Sequence, residues 1–334
     1  MNGLERYLAV LNGQPADHLP RLPILMAFAA QHIGSNYGAF ASDYRVLVEA
    51  NLRCAEDFGM DQVSAISDPY RETQGFGARI EFVTDGVPRC VKPPLADARD
   101  LKGLARPDPS SSTRMLDRVR AVEAFKRSAG GRYSILGWIE GPAAEAADLR
   151  GVENFLLDLA EEEEYACELM DRCVEAGIEF AAAQARAGAD TIGIGDAICS
   201  QVSPRMYEQL ILPRQQRLIR GVHASGVKVR LHICGNITRL LPGIAKAGAN
   251  IVDGDWMVDL AEGRRILGPG TVLTGNLDPV RAVLQSTPER IRADVSRLYE
   301  KLGNPYMVGA GCEIPAATPA ENLKALCAPV PWRA

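Results

Sequence analysis

Apolar runs and amphipathic stretches alternate along almost the whole chain. Short runs of the kind that form buried strands begin near residues 22, 62, 133, 190, 228, 250, 271 and 305. Between them, stretches with helical spacing of apolar residues predict helices over 43–58, 112–127, 161–187, 203–224, 288–302 and 319–326. About eight strands that alternate with helices are typical of a (β/α)8 barrel, the TIM-barrel class of α/β folds.

Two segments add to this alternating pattern. A helical extension precedes the first strand, and residues 76–92 alternate around Asp85-Gly86, which predicts a β-hairpin that departs from the barrel. The pattern shows no internal repeat, so it predicts a single barrel domain over residues 1–334.

Composition and charge narrow the class of protein. The chain is 47% hydrophobic and 24% charged with a net charge of −5, which argues against nucleic acid or an anionic membrane as a partner. It contains no apolar run of the roughly 18–20 residues that span a bilayer. The N-terminus lacks an export signal, and the eight cysteines have no disulfide-framework spacing. We therefore expect a cytoplasmic protein with reduced thiols.

The most informative residues are His232, Cys234 and Cys312. His232 and Cys234 lie two positions apart on a predicted strand, so their side chains leave the same face of it. Cys312 follows another predicted strand. One nitrogen and two sulfur ligands with an open fourth position are typical of catalytic zinc. Because most free cysteines are buried apolar residues, the residues alone leave structural cysteines as an open alternative.

Other polar residues also follow predicted strands, at the edge where barrels of this class build their active sites. They are Asp68, Glu140, Asp196, Asp253, Asp255, Asn276 and Asp278. We predict catalytic roles for Asp68, Asp196 and Asp255. Either Asp253 or Asp255 could contact His232 or occupy the fourth zinc position when no thiol is bound, and Glu313 is a further candidate for that position.

Four segments of the chain resemble the uroporphyrinogen decarboxylase superfamily: Leu4–Asp17, Thr274–Pro279, Ser286–Ile291 and Ala317–Leu323. The resemblance covers essentially the whole chain and implies the same barrel. The decarboxylase branch has a Met-Arg-Gln-Ala-Gly-Arg-Tyr motif whose arginines hold the acidic tetrapyrrole. The matching stretch here, Leu25–Gly34, contains no arginine, and Gly309-Ala310-Gly311 replaces that branch's late Gly-His-Gly.

The sequence is more similar to the methyltransferase branch. His232-x-Cys234-Gly235 and Gly311-Cys312 resemble the zinc motif of the methylcobalamin:coenzyme M methyltransferases. This resemblance implies a Zn²⁺ cofactor and a methylcorrinoid, such as methylcobalamin, as the methyl donor. It also implies a small thiol such as coenzyme M as the acceptor.

The chain has neither a phosphate-binding loop nor an Asp-x-His-x-x-Gly cobalt-ligand motif. We therefore expect the corrinoid to arrive on a separate corrinoid protein or as free cobalamin. Homocysteine or another thiol would use the same zinc chemistry. A non-thiol acceptor such as tetrahydrofolate, a decarboxylase-like lyase and a non-catalytic corrinoid-binding module are the remaining alternatives.

A methyl group held on cobalt must reach the zinc site from outside the barrel. We therefore expect a wide mouth, shaped by loops at Ala29–Phe40, Pro69–Gly77 and Glu140–Leu149, with the first of these acting as a mobile lid.

Overall fold

The computed structural model describes residues 1–333, in which strands and helices alternate much as the apolar pattern predicts. The N-terminal half contains α1 (Gly3–Leu11), α2 (Ala27–His32), α3 (Tyr37–Ser42), α4 (Tyr44–Phe58), β1 (Gln62–Ser64), α5 (Arg71–Gly75), β2 (Ile80–Val83), β3 (Gly86–Cys90), α6 (Thr113–Ala129), β4 (Ser134–Glu140), α7 (Pro142–Arg150) and α8 (Val152–Glu161).

The C-terminal half begins with the longest helix. Its elements are α9 (Glu163–Ala187), β5 (Thr191–Gly195), α10 (Pro204–Met206), α11 (Leu212–Ala224), β6 (Lys228–His232), α12 (Leu241–Ala247), β7 (Ile251–Gly254), α13 (Leu260–Leu267), β8 (Val272–Leu277), α14 (Pro288–Leu302), β9 (Tyr306–Ala310) and α15 (Ala320–Leu326). A π-helical stretch, Tyr207–Ile211, joins α10 to α11, so the long helix predicted over 203–224 is continuous.

Seven parallel strands form one curled sheet in the order β1-β4-β5-β6-β7-β8-β9. An extended segment at residues 20–24 lies between its two edges. Leu22 N donates to Val308 O of β9 at 2.8 Å, and Asp61 N donates to Arg21 O at 3.0 Å beside β1. The strand predicted to begin near residue 22 is therefore present only as an extended segment with an isolated bridge from Arg21 to Val308, and α2 follows it at Ala27.

Burial follows from the position of the sheet inside a layer of helices. Strands β4, β5 and β9 are buried along almost their whole length, as parallel strands covered on both faces must be. At the N-terminal end of the sheet, Tyr7 and Val10 of α1 pack with Ile251, Val272 and Met307. This packing covers the N-terminal end of the sheet, so a functional site is expected at the opposite end, where the strands finish.

Helix starts are fixed by local hydrogen bonds. Asn2 and Glu5 form a reciprocal capping box at α1, and the Asp43 side chain accepts from Arg45 N at the start of α4. Ser203 begins α10 in the same way, since its hydroxyl accepts from Met206 N at 3.2 Å. No helix in residues 1–333 is long and apolar enough to cross a membrane.

The segments expected to form mouth loops are largely helical, which corrects that prediction. Residues 29–40 lie mostly in α2 and α3, and their Ala29, Ala30, Tyr37 and Phe40 side chains belong to the main hydrophobic core. Residues 140–149 form most of α7, where almost every side chain is buried. The expected loop signal was misleading because α7 has no polar face to produce a helical period.

Candidate functional site

His232, Cys234 and Cys312 meet at the C-terminal end of the sheet. His232 is the last residue of β6, Cys234 lies two residues beyond it, and Cys312 follows β9 from the other side of the sheet. The Cys234 and Cys312 Sγ atoms are 3.6 Å apart, and His232 Nε2 lies 3.0 Å from Cys234 Sγ and 3.8 Å from Cys312 Sγ. The fold therefore joins residues that are far apart in the sequence.

These separations fit a tetrahedral zinc ion. Zinc bonds of about 2.3 Å to sulfur and about 2.0–2.1 Å to nitrogen place two sulfurs about 3.8 Å apart and each sulfur about 3.6 Å from the nitrogen. All three potential ligand atoms lie within 4.8 Å of one another. Only the His232–Cys234 separation is too short for such a site, and a small rotation of either side chain would lengthen it. The donor set thus suits Zn²⁺ and leaves one coordination position open.

Asp253 holds the imidazole in a ligand orientation. It pairs with His232 in the β6–β7 register, and its Oδ2 lies 2.9 Å from His232 Nδ1, which leaves Nε2 facing the two sulfurs. Arg230 Nε donates to both Asp253 oxygens at 2.8 and 2.9 Å, and Arg230 Nη1 donates to Gln62 Oε1 at 3.0 Å. A carboxylate that binds the far nitrogen of a histidine is the usual support of a metal ligand.

Asp255 supports the other ligand through the backbone. Its Oδ2 accepts from Gly235 N at 2.6 Å, directly after Cys234, and its Oδ1 accepts from Trp256 N. Gly311 permits this close approach, because a Cβ at that position would lie 2.5 Å from Trp256 N. Of the two aspartates considered for His232, the structure therefore selects Asp253, while Asp255 fixes the turn at Cys234.

The three side chains share protons unevenly. The hydrogen bond with Cys234 lowers the pKa of Cys312 to about 4, although burial opposes this, and the same hydrogen bond raises the pKa of Cys234. Burial lowers the pKa of His232, but Asp253 and Cys312 outweigh it and raise that pKa to about 10. These shifts favour the thiolate form of Cys312, and a metal that bound here would displace protons from His232 and Cys234.

A cavity of about 200 Å³ opens beside these residues. Its wall consists of residues at or just beyond strand ends: Ile24, Met26, Ile66, Asp68, Pro69, Trp138, Glu140, Gly195, Asp196, Ala197, His232, Cys234, Cys312 and Glu313. It is smaller than the roughly 300–1,000 Å³ of sites that enclose drug-sized ligands. The cavity can hold a small substrate beside the sulfurs, but a larger reactant must meet it at the opening.

The predicted catalytic aspartates occupy different positions. Asp68 lines the cavity and is held by Arg114, which donates to both carboxylate oxygens at 2.6 Å. Asp196 also lines it and accepts from Ala144 N at 2.8 Å and Gln215 Nε2 at 2.7 Å. Burial raises the pKa of Asp196 to about 6. Asp255 lies behind Gly235 and is absent from the cavity wall described above.

Glu313 is in the cavity wall next to Cys312. Its Oε1 accepts from Ala27 N at 2.9 Å, at the start of α2, and it is not one of the residues grouped around the two sulfurs. Burial raises the pKa of Glu313 to about 7. Cys199 is fully buried, and its sulfur accepts a hydrogen bond from Gln215. The other three histidines do not belong to this site: His18 binds Leu19, His32 binds Asp57 and His223 binds Asn250.

Sequence reasoning missed the buried cluster behind Glu140. Arg71 is fully buried and donates to Glu140 Oε1 at 2.5 Å, while Glu72 accepts from Glu140 N at 2.9 Å. Burial, and after it Glu72 and Asp148, raise the pKa of Glu140 well above its usual range although Arg71 opposes them, and burial also raises the pKa of Glu145 and Asp148. The one available signal was Arg71-Glu72, two adjacent charges just beyond a buried strand.

Trp138 was also missed, and glycines explain how it fits. It is paired with Gly193 across β4 and β5, and a Cβ at Gly193 would overlap the indole ring. Gly195 likewise leaves space for the indole and for Glu140 Oε2. The glycines of Thr191-Ile-Gly-Ile-Gly195 therefore let an aromatic wall stand 6.1 Å, centroid to centroid, from the His232 ring.

A parallel α/β sheet with a His-Cys-Cys group at its C-terminal end defines the class of this molecule as a barrel-like enzyme scaffold with a candidate metal centre. The uroporphyrinogen decarboxylase (URO-D) family model matches residues 2–330, so the chain belongs to that family. The resemblance noted from the sequence is confirmed.

Two groups of relatives share the family. A methylcobamide:CoM methyltransferase, MtaA, from Methanosarcina barkeri is 28% identical over 332 residues, covering 97% of this chain and 96% of that protein. A uroporphyrinogen decarboxylase from Geobacter metallireducens is also 28% identical, over 335 residues and 95% of each chain. Among solved structures, a methyltransferase from Methanosarcina mazei matches with a TM-score of 0.90 at 26% identity, covering 98% of both chains. Identity alone does not separate the two activities, so the site must.

Proposed function

We propose that this protein is a zinc-dependent methyltransferase that moves a methyl group from a methylcorrinoid to a small thiol. The observation that carries the proposal is the meeting of His232, Cys234 and Cys312 at the floor of a small cavity. These three residues would hold Zn²⁺. When bound, zinc supplies a positive charge that keeps an acceptor sulfur as a thiolate at neutral pH.

The reaction balances without a further oxidant or reductant. The acceptor thiol loses its proton, and its sulfur attacks the methyl carbon on the corrinoid. The sulfur–carbon bond forms as the carbon–cobalt bond breaks, and both electrons of that bond stay on cobalt, so Co(III) becomes Co(I). Within the chain, Asp253 orients His232 and Asp255 fixes the turn at Cys234.

The released proton needs an acceptor in the cavity. Asp196 lines the wall, and burial raises its pKa to about 6, close to the range in which a carboxylate accepts a proton at neutral pH. Asp68 is less suited because the charged guanidinium of Arg114 binds both of its oxygens and, despite burial, holds its pKa below the usual range, whereas both donors to Asp196 are neutral. We therefore assign the proton-accepting role to Asp196 and a wall-forming role to Asp68.

The size and lining of the cavity disfavour the alternatives. A cavity of about 200 Å³ has no room for tetrahydrofolate or a tetrapyrrole. No arginine of the described residues lines this cavity. The acidic tetrapyrrole of the decarboxylase branch carries eight carboxylates and would need fixed cations to bind it. A non-catalytic corrinoid-binding module would not require an arrangement of ligands with an open position. The corrinoid, on a partner protein or free, would approach the opening from outside.

The same proposal covers the setting of the reaction. It treats the chain as a single domain and its sheet as a closed (β/α)8 barrel, with residues 20–24 as the eighth strand. All eight cysteines are free, and the triad needs reduced thiols, which suits the cytosol.

Elemental analysis and methyl-transfer spectroscopy test the proposal together. The wild-type protein should contain about one zinc per chain, while Cys234→Ser and Cys312→Ser should lose most of it. Cys167→Ser, which changes a partly exposed cysteine on α9, is the matched control and should keep its zinc. With methylcobalamin, the spectrum should change from methyl-Co(III) to Co(I) only after a thiol is added. Full zinc content in both triad variants would refute the metal assignment.

A further inference from the structure

Apart from the metal-binding residues, the ionisable side chains on the cavity wall are all acidic. Asp68, Glu140, Asp196 and Glu313 line it, and no lysine or arginine does so within residues 1–333. A substrate that enters this cavity therefore meets carboxyl groups next to the two sulfurs. Such a wall gives no positive partner to an anionic head group such as a sulfonate.

The two nearest arginines are already engaged. Arg114 is buried and makes a two-point ion pair with Asp68, and Arg71 is fully buried and bound to Glu140 and to the Asp68 carbonyl. Neither arginine is part of the cavity wall. Turning either one toward an anion would break a buried ion pair and leave an unpaired carboxylate, which is strongly unfavourable.

Two carboxyl groups retain a free oxygen on the wall. Glu140 uses Oε1 for Arg71 and Trp138, and Glu313 uses Oε1 for Ala27 N. Their Oε2 atoms have no hydrogen-bond partner in the described part of the chain. The indole of Trp138 stands beside Glu140, and an aromatic face next to carboxylates is a favourable environment for an ammonium group.

From this lining we infer that the acceptor is a small aminothiol, whose sulfur meets the His232–Cys234–Cys312 group while its ammonium binds Glu140 and Glu313 against Trp138. The inference rests on the proposed function and narrows it. This acceptor would carry a positive head group, whereas CoM, the thiol in the name of the MtaA relative, carries a negative sulfonate. An ammonium donates to the free oxygens of Glu140 and Glu313 and favours the ionised form of both groups, and ionised carboxyl groups offer a sulfonate no hydrogen-bond donor.

A matched series of thiols tests the charge preference. 2-Aminoethanethiol, 2-mercaptoethanol and 2-mercaptoethanesulfonate share the same two-carbon chain and differ only in the head group. The zinc-loaded enzyme should show the highest kcat/KM with the amine and the lowest with the sulfonate. The two extremes should differ by at least about tenfold, as expected for one charge-assisted hydrogen bond. The affinities of the three corresponding S-methyl compounds, measured as inhibition or by calorimetry, should follow the same order. These compounds have no thiol proton, so differences in thiol acidity cannot affect this comparison.

Variants locate the preference. Glu140→Gln keeps the shape of the side chain and should bring the amine-to-sulfonate ratio severalfold closer to one. The neutral alcohol serves as the internal standard for each variant. Faster transfer to the sulfonate in the wild type would overturn the inference while leaving thiol methylation intact. If no thiol is methylated, the proposed function fails, and the affinities of the S-methyl compounds still decide whether the cavity prefers a cation.

Discussion

Replacing Asp253 with asparagine tests whether the metal centre depends on its buried support. Asp253 is only 3% exposed and serves two donors, Arg230 and His232. The pKa of Asp253 is lowered because Arg230 and His232 outweigh the effect of burial, so the group is charged at neutral pH. Asparagine keeps the size of the side chain but offers one oxygen and one NH₂, so one of the two donors must face another donor.

The expected effects follow from that loss. Removing the carboxylate that supports a metal-binding histidine weakens metal affinity by about 10–100-fold, or about 1.4–2.7 kcal/mol. Leaving Arg230 buried without its charge partner costs about 3–5 kcal/mol of folding stability. The variant should therefore both unfold more easily and bind zinc more weakly.

A second buried aspartate separates these two effects. Asp61 is 1% exposed and is bound by Arg6 and Arg21 at the start of β1, at the opposite end of the sheet from the metal centre. Asp61→Asn should lower the stability of the protein but leave its zinc affinity within about twofold of the wild type, since distant sites act independently.

Competition with a chromophoric chelator measures zinc affinity, and thermal unfolding of the metal-free proteins measures stability. The reasoning is refuted if Asp253→Asn loses no more zinc affinity than Asp61→Asn does. If both variants lost the same amount of affinity, the loss would come from general destabilisation.

Three further changes test the packing and the buried charges. Gly193→Ala should destabilise the protein by about 1–3 kcal/mol, because the new methyl group overlaps Trp138, and an unchanged denaturant midpoint would contradict this. Gly311→Ala should release zinc more readily than wild type, because its Cβ would displace the Trp256 turn, and wild-type chelator kinetics would argue against that role. Burial, and next the neighbouring Glu72, raise the pKa of Asp148 to about 8 despite Arg71. Because the pKa of this carboxyl group is higher in the folded protein, stability is lost as pH rises from about 4 to about 8. Asp148→Asn should therefore raise the Tm more at pH 8 than at pH 5. An equal gain at both pH values would count against a raised pKa of Asp148.

The sequence by itself determined the repeating architecture. Apolar runs and helical periods marked the main strands and helices because each buries one face or both faces in a regular repeat. The hairpin β2–β3 was also readable, since a tight turn depends on neighbouring residues. Helices α7 and α8 were not predicted. Almost every residue of α7 is buried, so it has no polar face that would produce a helical period.

The composition of the metal centre was readable only in part. The spacing of His232 and Cys234 placed both on one side of β6, but nothing local linked them to Cys312, which lies 78 positions after Cys234. The choice between Asp253 and Asp255 also required the structure, because it depends on the β6–β7 register that places His232 opposite Asp253. Registers between strands are set by packing of the whole sheet, which a single strand does not encode.

The electrostatic character of the cavity was decided by tertiary structure alone. The charges of Arg71 and Arg114 are not available to a substrate in the cavity, because each side chain is buried behind a carboxylate that it neutralises. Trp138 reaches the wall only because Gly193, on the neighbouring strand, leaves room for it. Charge pairing and van der Waals exclusion act between residues distant in the chain, so only the folded protein determines which groups face the substrate.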